Sequence, residues 1–141
     1  MPDSTLYKEA LMDHYRNPRN REDPRDASVV RRGSNPRCGD DLEVGVDFHG
    51  ATLDRVRFHG RGCSVCIASA SMMTEAVTGK TRGEVEGLYD GLRQWFDAGE
   101  EDAAPDPPAS LRPLSALRQH PARRRCVLLA WEALADALNA N

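Results

Sequence analysis

Cys38, Asp40, Cys63 and Cys126 are the side chains of this sequence best suited to metal chemistry, and each falls where the chain enters or leaves a regular element. A soft divalent ion such as zinc takes thiolate and carboxylate donors in a tetrahedral set. Cys38-Gly39-Asp40 is a short chelating pair, because glycine permits a tight bend and donors two residues apart can turn toward one ion. Cys63 follows Gly62 at a strand-to-helix junction, where unpaired N–H groups and the helix dipole favour thiolate over thiol. Cys126 follows three arginines near the start of another helix. Bringing these positions together gives three sulfurs and one carboxylate oxygen, a closed set for zinc with a net negative charge that neighbouring arginines offset. Taken singly, each cysteine is equally a small buried residue.

The elements that must position these donors can be read from the pattern. Leu6, Ala10, Leu11 and Tyr15 have helical spacing, and the helix stops before Pro18. Residues 20–36 are rich in Arg, Asp, Asn and Pro and predict a mostly irregular segment, with only Val29-Val30 as a short strand. Leu42, Val44, Val46 and Phe48 alternate with polar residues or glycine. His49-Gly50 then turns the chain into a second strand carrying Leu53, Val56 and Phe58, so a hairpin is expected. Ile67 to Ala76 describe a small-residue helix ending near Gly79. Thr81 and Glu84 have capping-box spacing and open a helix that runs toward Ala98, with Val85, Leu88, Leu92, Trp95 and Phe96 inward. An acidic, proline-bearing loop follows, then a short helical piece with Leu111, Leu114 and Leu117. A last helix begins near Arg123 and carries Val127, Leu128, Trp131, Leu134, Ala135 and Leu138.

The 141 residues suit a single domain. A net charge of −3 argues against general nucleic-acid binding, and no apolar run is long enough to span a membrane. The N-terminal Met1-Pro2-Asp3-Ser4-Thr5 lacks the pattern of a secretory signal, which points to the cytoplasm, where four cysteines are better explained by metal binding or reactivity than by disulfides.

Four ordered motifs carry a resemblance over nearly the whole chain. They are Leu6-Tyr7-Lys8-Glu9 through Asp13-His14-Tyr15-Arg16-Asn17-Pro18-Arg19-Asn20, Asn35-Pro36-Arg37-Cys38-Gly39-Asp40, Gly62-Cys63-Ser64 through Thr74, and Pro121-Ala122-Arg123 through Cys126. The sequence resembles the U-type iron-sulfur cluster assembly family, which includes IscU, SufU and the N-terminal part of NifU. It is most similar to the SufU branch, since residues 99–119 form an acidic segment that IscU scaffolds lack and Arg125 stands where they place a histidine.

The resemblance implies an α+β fold, with a small antiparallel sheet of about three strands packed by about five helices. It implies zinc held by Cys38, Asp40, Cys63 and Cys126. It further implies a zinc-dependent sulfur carrier that accepts persulfide sulfur from a SufS-type cysteine desulfurase and passes it to SufBCD-type assembly machinery, with Cys38 as the acceptor. A ligand carried on a loop leaves a metal more easily than one anchored on a helix, which agrees with that role. The alternatives are an IscU-like scaffold holding a transient iron-sulfur cluster on the same cysteines and, from another class, a structural zinc protein. A zinc hydrolase needs an open coordination position and a general base, and the deaminase motif pair is absent.

Cys66 departs from the family pattern, which has serine or another small residue there. An inert packing residue is the favoured reading, with a spare ligand or resolving thiol as the others. His14, His49, His59 and His120 read as packing or surface residues rather than ligands, and Ser69 and Ser71 lack the partners of a serine nucleophile.

Overall fold

The computed structural model describes residues 4–37, 39–98, 107–118 and 120–139. In chain order these form α1 (Ser4–Arg16), β1 (Val29–Asn35), β2 (Asp40–His49), β3 (Thr52–Arg61), α2 (Ser64–Val77), α3 (Arg82–Ala98), a 3-10 helix (Ala109–Leu117) and α4 (Pro121–Leu138). The sheet is antiparallel with order β1-β2-β3, so the expected α+β architecture is present. Among the described residues it has the three strands and five helices that the sequence implied.

Two faces of the sheet are covered differently. Leu42, Val44 and Val46 of β2 and Val56 and Phe58 of β3 are fully buried beneath α4 and α2. The opposite face is strapped by the segment before β1: a Cβ on Gly45 would lie 2.6 Å from Pro24 Cβ and 2.8 Å from Ala27 Cβ. Arg57 reaches across that face to Asp47 at 2.8 Å and Asp26 at 2.7 Å, so its buried guanidinium has two carboxylate partners.

Residues 20–36 are more regular than the sequence predicted, since β1 extends to Asn35 and pairs with β2 from Val29↔Val46 to Asn35↔Asp40. The apolar alternation that marks a strand is missing for a physical reason. Gly33 lies against α4, where a Cβ would come within 3.0 Å of the Leu129 carbonyl oxygen, and Arg31 pairs with Asp136 of α4 at 3.2 Å. Contact with a helix backbone and an ion pair replace the expected apolar side chains. The last helix also begins slightly earlier than expected, with Pro121 in its first turn.

The capping box forms as read: Thr81 N–H donates to Glu84 Oε1 at 3.0 Å, and Glu84 N–H to Thr81 Oγ1 at 3.2 Å. The α2 helix is buried almost all round, which explains its small residues: it packs against α1, α4 and β3 at once. Ser69 satisfies its hydroxyl inside that core by donating to the Val127 carbonyl at 2.7 Å and accepting from Trp131 Nε1 at 3.3 Å. Trp131 is completely buried. Trp131→Ala should therefore cost about 3–5 kcal/mol, read from the urea midpoint of the metal-free protein, whereas Trp131→Phe should cost clearly less.

His14 joins α1 to α2. Its Nδ1 is 2.8 Å from Ser71 Oγ, which also accepts the Arg19 N–H at 2.9 Å, while Nε2 is 3.8 Å from Glu75 Oε1. Burial first, and then Arg19, holds its pKa below the ordinary 6.5, while Glu75 and Asp13 oppose the shift. The unfolded chain therefore takes up the proton before the folded one does. This contribution to stability is complete above about pH 6.5 and is lost as the pH falls through the lowered folded value. Urea midpoints should drop between about pH 7.5 and about pH 5.5, and the drop should be smaller in His14→Gln.

Candidate metal centre

Asp40, Cys63 and Cys126 come from three separate elements, and their donor atoms lie within 4.8 Å of one another. Asp40 opens β2, paired across the strand end with Asn35, and is 2 % exposed. Cys63 is the N-cap of α2 in an extended conformation (φ −67°, ψ 169°), and Cys126 lies in the second turn of α4, buried. No other group of His, Cys, Asp and Glu side chains among the described residues has comparable metal-binding geometry. Cys38 lies outside the described residues, between exposed Arg37 and Gly39 in the connection from Asn35 to Asp40.

One hydrogen bond orients the carboxylate, and the sequence alone gave no sign of it. The Cys63 backbone N–H donates to Asp40 Oδ1 at 2.9 Å, while Oδ2 faces Cys63 Sγ at 4.0 Å. One oxygen is thus tied to the start of a helix and the other is turned toward the thiol, the division that a monodentate metal ligand uses. Gly62 is part of this arrangement, since a Cβ there would come within 3.4 Å of Asp40 Oδ1 and 3.0 Å of Cys66 Sγ. Its place directly before Cys63 was the signal available in the sequence.

Three arginines near the donors in sequence pair with carboxylates elsewhere. Arg32 binds Asp41 through two nitrogens, Arg31 reaches Asp136, and Arg124 lies 2.9 Å from Asp97. Of the two arginine clusters that flank the cysteines, Arg31, Arg32 and Arg37 and then Arg123, Arg124 and Arg125, the exposed members are Arg32, Arg37, Arg123 and Arg125. His49, His59 and His120 are exposed and stand apart from the donor group, and His14 is engaged with Ser71. Asp13 serves the end of α1, where it pairs with Arg19 at 2.6 Å and accepts from Asn17 at 3.2 Å.

Donor set and fold together invite comparison with known proteins. Residues 6–89 match the NifU-like N-terminal domain family. The chain belongs to that family.

The chain is 36 % identical over 130 residues to the zinc-dependent sulfurtransferase SufU of Bacillus subtilis, covering 92 % of this chain and 87 % of that protein. It is 32 % identical over 133 residues to the iron-sulfur cluster assembly scaffold protein IscU of Streptococcus pyogenes, covering 94 % and 82 %. Among solved structures it superposes, with a TM-score of 0.81 and 27 % identity, on a putative iron-sulfur cluster assembly scaffold protein for the SUF system from Fervidobacterium islandicum. That match covers 97 % of this chain and 99 % of the other. Among the described residues no helix is long and apolar enough to cross a membrane.

Proposed function

We propose that this NifU-like protein is a zinc-binding sulfur acceptor of the SufU kind. It takes persulfide sulfur from a SufS-type cysteine desulfurase and relays it to SufBCD-type cluster assembly machinery. In this reading the chain works as one domain over residues 1–141, with 99–119 as an insertion. Residues 99–106 and 119 of that stretch lie outside the described residues. The observation that carries the reading is the convergence of Asp40, Cys63 and Cys126 within 4.8 Å, in a chain that resembles a zinc-dependent sulfurtransferase along most of its length.

The donor chemistry fits zinc. A buried carboxylate with one oxygen hydrogen-bonded and the other facing sulfur, two cysteines beside it and a third two residues from Asp40 in sequence supply a tetrahedral set of the required type. Cys38, Asp40, Cys63 and Cys126 would hold the ion, which supplies positive charge that keeps thiols deprotonated near neutral pH. The residues themselves perform the transfer. The Cys38 thiolate attacks the outer sulfur of the donor persulfide, the donor's S–S bond breaks, its cysteine leaves as thiolate, and Cys38 becomes the persulfide.

Adding the protein to a SufS-type desulfurase with free cysteine should accelerate sulfur release, and unchanged turnover would remove the transfer reading. The scaffold alternative draws on the similarity to IscU, and anaerobic reconstitution yielding a stable visible chromophore would favour it. A purely structural ion would leave turnover unchanged and unfold the domain on removal.

A further inference from the structure

We propose that Cys66 is a resolving thiol for Cys63, so that peroxide converts the pair to a disulfide and thereby releases the metal. Cys63 is the N-cap of α2 and Cys66 is its third helical residue, the spacing at which a capping box brings each side chain to the other residue's backbone. Helix geometry places Cα atoms three residues apart at about 5 Å, inside the span of about 4.4–6.8 Å that a disulfide bridges.

The direction of the Cys66 side chain supports this pairing. Its sulfur is turned back toward the Gly62–Cys63 end of the helix, since a Cβ on Gly62 would lie 3.0 Å from Cys66 Sγ and 3.4 Å from Asp40 Oδ1. The sulfur is therefore beside the metal donors although it is outside the group that Asp40, Cys63 and Cys126 form. Gly62 has no left-handed backbone to explain it, and what the position lacks is room for a side chain.

Exposure sets the order of events. Cys63 is half-buried and Cys66 is fully buried, so a small oxidant from solvent meets Cys63 first. The Cys63 thiolate attacks one peroxide oxygen, the O–O bond breaks, and the sulfur becomes a sulfenic acid as hydroxide leaves and is protonated to water. Cys66 sulfur then attacks the sulfenic sulfur, gives up its proton and expels a second water. Two thiols are oxidised and one hydrogen peroxide is reduced to two waters. Cys63 is lost as a donor until a thiol reductant restores it.

The disulfide needs only the two cysteines, while the release of metal rests on the zinc reading above. Zinc-loaded full-length protein is treated with hydrogen peroxide, then mapped by non-reducing peptide mass spectrometry while a chromogenic chelator follows zinc. The expected result is a Cys63–Cys66 disulfide, with one zinc released per disulfide and full reversal by dithiothreitol and added zinc. In Cys66→Ser the same treatment should drive Cys63 to sulfinic acid, so that reductant no longer restores binding. Mapping that joins Cys63 to Cys126 or Cys38, or that finds Cys63 over-oxidised with Cys66 unchanged in the wild type, would overturn the proposal. Mapping of the wild type decides the matter even if the variant does not fold. A protein that never binds zinc yet forms the Cys63–Cys66 bond would refute the metal reading alone.

Discussion

A protein carrying Asp40→Asn is expected to keep its fold and to bind zinc at least about 100-fold more weakly than the wild type. The asparagine carbonyl can still accept the Cys63 N–H, so the start of α2 remains satisfied, but the anionic oxygen facing Cys63 Sγ is gone. A 100-fold loss corresponds to about 2.8 kcal/mol of metal-linked stability at saturating zinc. The measurement is a pair of melting curves, with and without zinc. Asparagine should leave the metal-free curve close to wild type and shrink the zinc-induced shift. Asp40→Ala should shrink the shift and also lower the metal-free curve, because it removes the carboxylate acceptor of the half-buried Cys63 N–H, at about 1–3 kcal/mol. If asparagine and alanine lowered the metal-free curve equally, the hydrogen bond would not have the orienting role assigned to it. A wild-type zinc shift in both would remove Asp40 from the ligand set.

The donor group and its orienter differ in how far the sequence exposed them, and β1 shows the same contrast within the fold. Cysteine and aspartate at strand and helix ends are visible as residue types, so Asp40, Cys63 and Cys126 could be nominated before any coordinates. What joins Asp40 to Cys63 is a backbone N–H, which every residue except proline has, and no residue type advertises its direction. Likewise β2 and β3 were legible because one face is apolar and the period of two survives over most of their length, broken only at the bulge beside Asp47 and Phe48. In β1 that period is erased where Gly33 meets α4 and Arg31 finds Asp136. The arginine clusters were legible as charge but not as partners, since Asp41, Asp136 and Asp97 are remote in sequence or masked by other acids nearby. Cys66 was visible as a departure from the family pattern, yet its orientation toward Gly62 is a rotamer, set by packing around α2.

Cys38→Ala is expected to reduce desulfurase turnover to the rate measured without the protein. On the proposed reading alanine removes a nucleophile and a metal donor together, so a second variant is needed to separate the two losses. Cys38→Asp retains an anionic oxygen donor of the kind zinc accepts and has no sulfur to receive a persulfide. It should keep a substantial zinc-induced rise in melting temperature and still fail to accelerate the desulfurase. Mass spectrometry after the reaction should place the extra sulfur atom on the peptide containing Cys38 in the wild type and nowhere in either variant. The sequence around Cys38 supports that division. It is followed by a glycine and lies on the short connection to Asp40, whereas Cys63 caps α2 and Cys126 is built into α4. Withdrawing Cys63 or Cys126 would break a helix start or a buried packing contact. Acceleration that survived in Cys38→Ala would transfer the acceptor role to another cysteine, and extra sulfur on Cys63 or Cys126 would identify which one.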